Sequence, residues 1–156
     1  MKANIGIADK NSKAVALLLN KLLANEFVLY AKTRNYHWNI ESPSFMEMHK
    51  FLEAQYTEIA IIVDEVAERV RKIGHFAEGR LKDFLKLTDL EEEEYTDDQT
   101  QQITNLLEDH ETLIRTIRGH IPEVEDKYKD VGTSDFLTGV LKQHESMAWM
   151  LRAYLK

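Results

Sequence analysis

Residues 42–74 read SPSFMEMHKFLEAQYTEIAIIVDEVAERVRKIG, and this stretch decides the fold. Apolar side chains recur in it every three or four residues, which predicts one long amphipathic α-helix. They are Phe45, Met48, Leu52, Tyr56, Ile59, Val63, Val66 and Val70. Ser42 followed by Pro43 is typical of a helix start, and Gly74 is typical of a helix end. The predicted helix therefore begins at Pro43 and ends near Ile73.

The same periodicity recurs on both sides of this helix. The predicted bounds are residue 11 or 12 to 38, residues 98–120, and a last helix that starts near 123 or after 134 and runs to 156. Asn11 or Ser12 is the expected cap of the first helix, and Gly119 and Pro122 are expected to close the third. The long connection after Gly74 contains a short helical pattern at residues 79–85. We expect an all-α, ferritin-like four-helix bundle with a short extra helix between helices 2 and 3.

The length and composition predict one domain. The chain has 156 residues, and such a length builds a single hydrophobic core. Residues 1–156 are therefore assigned to one domain, with 1–10 as a flexible N-terminal segment. The absence of cysteine excludes disulfide scaffolds, thiolate zinc sites and iron–sulfur clusters, so that any metal must be held by imidazole and carboxylate groups.

The charge and hydropathy patterns exclude further classes. A formal net charge of −7 argues against a surface built for nucleic acid and favours attraction of cations. No apolar run approaches the roughly 20 residues that a bilayer span needs, and the first ten residues lack the apolar segment of a secretion signal. We expect a cytoplasmic protein without a membrane partner.

Four potential metal ligands lie on one face of the helix predicted from residues 42–74. His49 and Glu53 are four residues apart, as are Asp64 and Glu68, and each pair can converge on one ion. At about 100° per residue, the three carboxylates lie within about 100° of His49 around the helix axis. Eleven residues separate Glu53 from Asp64, which is about 16 Å along a straight helix. One helix therefore cannot bring both pairs to the same ion.

A second copy of the helix, packed antiparallel across a two-fold axis, solves this geometry. The first pair of one chain then faces the second pair of the other, which gives two identical sites per dimer. His37 reaches the same end of the site, because it and His49 lie six residues on either side of Pro43 at the bend between two helices. Two imidazoles and up to three carboxylates suit Fe(II), with Zn(II) or Mn(II) as competitors.

The alternative is that each residue is an ordinary surface carboxylate or core histidine, and only the set as a whole favours a metal site. A site inside one subunit is disfavoured. In-bundle di-iron sites use a Glu-x-x-His motif, and none of the six histidines has a glutamate three residues before it.

Three motifs point to a known family: YHWN at 36–39, DEVAER at 64–69 and AWMLRA at 148–153, with Phe45 and His49 between the first two. Together they resemble the signature of the Dps proteins, the mini-ferritins of bacteria and archaea. The resemblance covers nearly the whole chain.

The resemblance implies a hollow cage of twelve subunits that oxidises Fe(II), preferentially with hydrogen peroxide, stores the Fe(III) mineral and so limits oxidative damage. By position, His37, His49 and Glu53 come from one subunit, and Asp64 and Glu68 come from its partner. The family most often has aspartate at position 53. Glutamate keeps the charge and adds a methylene group, which affects metal position or occupancy.

Other roles follow only from the resemblance. Trp38 is a radical trap in this interpretation, with core packing as the alternative. The resemblance also implies that Asp130 and Asp135 line pores at three-fold axes. The alternative for Asp135 is an ordinary acidic residue in the first turn of a helix.

The remaining histidines give weaker signals. His75 is either an extra ligand or a capping or surface residue. His110, His120 and His144 lie on other helices without a carboxylate partner pattern of comparable quality, and we expect them to be structural.

Some Dps proteins bind DNA through lysine-rich tails, which is the alternative function: a nucleoid-associated protein that protects DNA by coating it. In this chain Lys2, Lys10 and Lys13 are partly offset by Asp9. Twelve copies at −7 each carry a charge of −84, which repels a polyanion. We expect weak or absent DNA binding. A non-catalytic helical cage is a third hypothesis, without positive support in the sequence.

Overall fold

Four long helices and one short one account for most of residues 3–156, the part of the chain that the structure, a computed structural model, describes. The elements are α1 (Asp9–Asn39), α2 (Phe45–Lys72), α3 (Leu81–Leu87), α4 (Gln99–Pro122), a π-helical turn (Glu123–Lys127) and α5 (Val131–Ala153). Within the described residues there is no strand beyond one isolated bridge. The predicted ferritin-like bundle with a short helix between helices 2 and 3 is confirmed.

The core lies between α1, α2, α4 and α5. The largest fully buried side chains are Leu19, Leu23, Leu29, Ile40, Met48, Leu52, Ile59, Ile62, Ile73, Ile103, Leu106 and Leu113. α1 packs along α2 and α4 packs along α5. α2 and α4 run in the same direction, so the chain crosses the length of the bundle between them through α3 and the extended residues 88–98.

The start of α1 differs from the expectation. The helix begins at Asp9 with Ala8 at the N-cap position, and no side chain caps it. Ser12 is buried within the first turns, and its hydroxyl donates to the Asp9 carbonyl at 3.2 Å instead of capping. Of the segment predicted to be flexible, residues 1 and 2 lie outside the described part, and the last two residues are helical. Its flexibility stays a prediction.

α1 is also long and apolar enough to span a bilayer, which corrects the expectation from the sequence. Most of its apolar stretch is buried inside the bundle. Such burial is typical of a helix at the centre of a packed core.

The start of α2 lies two residues later than predicted. Ser42 and Pro43 form a turn, in which the Phe45 N–H donates to the Ser42 carbonyl at 3.1 Å, and the helix starts at Phe45. The Ser42 hydroxyl contacts the Ser44 hydroxyl rather than a backbone N–H.

The end of α2 agrees with the prediction. Gly74 has φ +91°, a left-handed conformation that favours glycine. Its N–H donates to the Arg71 carbonyl and the His75 N–H donates to the Val70 carbonyl, which is the Schellman pattern. A Cβ at position 74 would also lie 2.8 Å from the Ala3 Cβ, so the site requires glycine for two reasons.

The junction of α4 and α5 was predicted only in part. Gly119 lies inside α4, where a single glycine costs about 1 kcal/mol and is tolerated. α4 ends at Pro122, and the chain passes through the π-helical turn before α5 begins at Val131. Asp130 is the N-cap of α5: its carboxylate accepts the Thr133 N–H at 2.9 Å. Neither predicted start of the last helix is correct.

The extended residues 88–98 cross the turn between α1 and α2. The Glu41 N–H donates to the Asp97 carbonyl at 3.1 Å, and the Asp98 carboxylate caps α4 by accepting the Gln101 N–H at 2.7 Å. Lys32 of α1 donates to the Glu91 carbonyl at 2.9 Å. This segment therefore ties the end of α1 to the start of α4.

Candidate metal centre

The reversal between α1 and α2 brings two of the predicted ligands together. His37 lies two residues before the end of α1, and His49 lies in the second turn of α2. Only five residues, 40–44, separate the two helices, so the rings meet across the turn. Their centroids are 3.7 Å apart, with an angle of 18° between the planes.

Each histidine ring is held by the backbone of the other residue. Nδ1 of His37 lies 2.7 Å from the His49 carbonyl oxygen, and Nδ1 of His49 lies 2.9 Å from the His37 carbonyl oxygen. A carbonyl oxygen only accepts, so both Nδ1 atoms carry a proton. In the neutral rings Nε2 is then the atom with a free lone pair. This is how proteins orient an imidazole toward a metal.

Two further aromatic rings fix the pair from its sides. Phe45 stacks on His49 with centroids 5.1 Å apart, and Tyr56 contacts His37 edge-on at 5.1 Å. His37 is 7% exposed, whereas His49 is half-buried. The rings therefore have little rotational freedom before any metal arrives, which lowers the entropic cost of binding.

The three carboxylates point away from their own bundle. Glu53 lies one turn after His49, and it is exposed, as are Asp64 and Glu68 further along α2. Glu68 accepts a hydrogen bond from Lys72 at 2.9 Å, an ion pair between two exposed residues one turn apart. In residues 3–156 of a single chain, no three His, Asp or Glu side chains are arranged to hold one metal ion. The structure thus joins the two histidines and leaves the Asp64–Glu68 pair apart from them.

Trp38 is not a core residue. Its side chain is 63% exposed, because the buried positions at this end of α1 are Tyr36 and His37. The Arg34 guanidinium lies over the Trp38 ring at 5.2 Å and over the Tyr56 ring at 4.5 Å. The packing alternative is therefore wrong for a single chain, and the radical-trap role stays a prediction.

Asp130 cannot serve as a pore acid. It is 2% exposed, and its carboxylate accepts the Thr133 N–H and hydroxyl and pairs with Arg69 at 3.2 Å. Because the helix cap and the ion pair already engage both carboxylate oxygens of Asp130, neither oxygen is available to bind a cation. Asp135 is exposed and stays a candidate.

His75 and His120 lie at helix ends. Nε2 of His75 lies 3.0 Å from the Ser12 hydroxyl, and the His75 N–H closes the end of α2, which agrees with a capping role. Nδ1 of His120 lies 3.7 Å from a carboxylate oxygen of Glu123.

One buried cluster of titratable side chains was not predicted from the sequence. His144 does have a carboxylate partner, Glu26 at 2.8 Å, and it also contacts His110 at 2.9 Å, all in the core. The signal in the sequence was a glutamate inside the most apolar part of α1.

Comparisons with known proteins agree with this architecture. Residues 16–156 match the Ferritin family, described as a ferritin-like domain. A low temperature-induced protein of Nostoc sp. is 39% identical over 99% of this chain and 87% of its own length. The DNA protection during starvation protein 2 of Bacillus anthracis is 33% identical over 92% of this chain and 98% of its own length.

A solved structure has the same fold as this chain. The DPS protein of Vibrio cholerae O1, described as a member of a broad superfamily of ferritin-like diiron-carboxylate proteins, superimposes with a TM-score of 0.93. It is 32% identical, and the match covers 99% of this chain and 97% of that one. With its helix order, its histidine pair and these relatives, the chain belongs to the Dps family of ferritin-like proteins.

Proposed function

We propose that this protein is a ferroxidase and iron-storage mini-ferritin, which oxidises Fe(II), preferentially with hydrogen peroxide, at sites shared between two subunits. The reciprocal hydrogen bonds of His37 and His49 carry this proposal, because they fix both rings with Nε2 as the free nitrogen. A pair of imidazoles prepared in this way suits a divalent transition metal. Iron is the substrate, and Zn(II) or Mn(II) are competitors for the same ligands.

The second half of the ligand set comes from another subunit in this proposal. Asp64 and Glu68 lie on the exposed face of α2, about 16 Å or more along the helix from Glu53. Antiparallel pairing of two α2 helices brings them to His37 and His49 of the neighbouring chain. The carboxylates favour the harder Fe(III) product, which draws the reaction forward.

Delivery of two electrons to one peroxide molecule is the proposed basis of protection against oxidative damage. Two Fe(II) ions each give one electron to hydrogen peroxide, whose O–O bond breaks, and with two protons the products are two Fe(III) ions and two water molecules. A single Fe(II) would deliver only one electron and release a hydroxyl radical. A site that collects two ions therefore avoids the damaging step.

A hollow dodecamer that stores the Fe(III) mineral is the proposed assembly. Large apolar side chains are exposed on the single chain, which supports burial against further subunits. They include Leu17, Phe76, Leu81, Tyr95, Val131 and Trp149. A cytoplasmic location stays a prediction.

The decisive experiment mixes the purified protein with Fe(II) and hydrogen peroxide in a stopped-flow instrument and records Fe(III) absorbance. The Asp64→Ala, Glu68→Ala double variant should lose nearly all rapid oxidation. Glu65→Ala is the matched control, because it removes an exposed carboxylate from the same helix outside the ligand set. Parental rates in the double variant would contradict the assignment.

DNA protection by direct binding is the second candidate function, favoured by the name of the Bacillus anthracis relative. The charge opposes it: a dodecamer of chains at −7 carries −84. We expect no mobility shift of duplex DNA at about 150 mM salt. A shift that persists at that salt concentration would favour the DNA-coating function.

A further inference from the structure

A hydrogen-bonded series of three titratable side chains crosses the bundle core, outside the candidate metal centre. Oε1 of Glu26 in α1 lies 2.8 Å from Nε2 of His144 in α5. Nδ1 of His144 lies 2.9 Å from Nδ1 of His110 in α4. All three residues are fully buried, at 0% exposure. The series therefore links three of the four long helices through polar contacts inside an apolar core.

The geometry excludes a shared metal ion at this cluster. The two nitrogens of the His144 ring face opposite partners, so Glu26 and His110 contact different edges of the ring. Two atoms at the ends of the series, Oε2 of Glu26 and Nε2 of His110, have no hydrogen-bond partner among the described residues. A buried network that is only partly satisfied is sensitive to any change in its protonation.

The contact between the two rings holds a single proton. At 2.9 Å one Nδ1 must donate and the other must accept. If both rings were imidazolium ions, both Nδ1 atoms would carry hydrogen and the two N–H groups would point at each other. The contact therefore requires that one ring stays neutral. Burial lowers the pKa of His110 well below its usual value, and the charge of His144 lowers it further, which keeps His110 neutral in the closed bundle.

The other charged groups around the cluster are paired among themselves. Lys32 of α1 pairs with Asp109 of α4 at 2.5 Å and with Glu93 of the extended residues 88–98 at 2.8 Å, and burial raises the pKa of Asp109 to about 6. On the outer faces of α4 and α5, Arg152 pairs with Glu111 and Arg118 pairs with Glu145. α2 contributes the uncharged Gln55, whose amide donates to the Met147 carbonyl at 3.3 Å. Glu26 is thus the carboxylate in direct contact with the histidine pair.

We infer that the His110–His144 contact is an acid-sensitive latch, which ties α4 to α5 while one ring is neutral and opens when both rings take up a proton. In the open state the His110 ring is released from the burial that lowers its pKa, which returns toward the ordinary histidine value of about 6.5. Below that pH, the ratio of open to closed molecules rises about ten-fold for each pH unit per proton taken up. Acid therefore loosens one pair of helices from within the core.

Hydrogen exchange followed by mass spectrometry tests the latch on the assembled protein. Protection is measured at about pH 7.5, 6.5 and 5.5 and is corrected for the intrinsic exchange rate. Peptides that contain His110 or His144 should lose protection about five-fold between the two lower values, because the higher of these lies at the open-state pKa itself, whereas α2 peptides should keep theirs. Unchanged protection of the α4 and α5 peptides at the lowest pH would overturn the proposal.

His110→Asn separates the latch from a merely structural contact. The asparagine amide takes the position of Nδ1 and can keep the bond to His144, but it does not titrate. This variant should lack the acid-dependent loss of α4 and α5 protection that the parent shows, and the effect of Asp109, whose pKa burial raises to about 6, is common to both proteins. His120→Asn, which removes a half-buried histidine elsewhere on α4, is the matched control and should behave like the parent.

An acid-dependent loss in His110→Asn equal to the parental loss would contradict the latch. If that substitution prevents folding, the parent protein still decides the question, because its own α4 and α5 peptides must lose protection in acid while α2 does not.

Discussion

His37 and His49 hold each other in place: each ring's Nδ1 is hydrogen-bonded to the other residue's carbonyl oxygen, at 2.7 and 2.9 Å, and the rings stack at 3.7 Å. The contact spans the turn between α1 and α2. One arrangement therefore closes the helical hairpin and leaves both Nε2 atoms as the nitrogens with lone pairs.

Replacing His49 with asparagine should separate these two roles. In His49→Asn the side-chain amide can still donate to the His37 carbonyl, so the folded state keeps this bond, but no ligating nitrogen remains. We expect metal affinity to fall by at least about ten-fold, with a nearly unchanged thermal midpoint. Calorimetric titration with Zn(II) measures the affinity. A loss of affinity no larger than that of His120→Asn would argue against His49 as a ligand.

Mixing two inactive variants should restore activity if the sites are shared between subunits. One chain carries His37→Asn and His49→Asn, and the other carries Asp64→Ala and Glu68→Ala. A mixed pair has one intact site of two, so random reassembly recovers about a quarter of the parental sites.

The measurement is peroxide-driven Fe(II) oxidation after the two variants are dissociated and reassembled together. Each variant reassembled alone is the control and should stay inactive. Mixtures that also stay inactive, although they co-assemble, would place all the ligands in one subunit.

Lys72 should act as a competitor for the metal. Its ammonium group donates to Glu68 at 2.9 Å, and both side chains are more than half exposed. Such a pair contributes at most about 1 kcal/mol, so Lys72→Gln should tighten metal binding by no more than about five-fold.

Metal titration at low ionic strength measures this effect, and the gain should shrink in salt. Lys82→Gln, on the exposed face of α3, changes the net charge by the same amount and is the matched control. Equal gains in the two variants would show a general charge effect instead of competition at Glu68.

Asp109 should make folding stability depend on pH. Burial raises the pKa of Asp109 to about 6, against the opposing effect of Lys32. Because the folded pKa exceeds the unfolded one, this contribution is fully present below about pH 4 and is lost as the pH rises through about 6. Relative to Asp109→Asn, the parent should lose up to about 3 kcal/mol across that window.

Urea unfolding of both proteins at about pH 4.5 and 7 measures the difference. Lys32 stays charged throughout, since its pKa is raised by the Asp109 and Glu93 carboxylates in spite of its burial, and it keeps its pairing with Glu93 in the variant. A stability difference that is the same at both pH values would contradict the prediction.

The helices were predictable because their signals are local. Apolar spacing in residues 42–74 predicts a helix without reference to any other part of the chain, and Gly74 ends that helix through its own backbone conformation. The caps were less predictable. Asp130 and Asp98 cap their helices, whereas Ser42 does not, because several polar residues near each helix start can compete for the same role.

The candidate ligands were also predictable as residue types and spacings. His49 and Glu53 are one turn apart on any helix, and the distance to Asp64 follows from the helical rise. The exposure of all three carboxylates in the single chain could not be deduced from spacing alone, nor could the burial of Asp130 or the exposure of Trp38. These depend on which helices cover each face.

By itself, the sequence determined that this is a four-helix protein and that any metal must bind imidazole and carboxylate, since the chain has no cysteine. Tertiary structure decided which nitrogen of His37 and His49 is free, and it brought Glu26 to His144, 118 residues away along the chain. The physical reason is the range of the interactions. Helical periodicity acts over one or two turns, whereas a ring's tautomer and a buried polar contact depend on partners that only folding brings near.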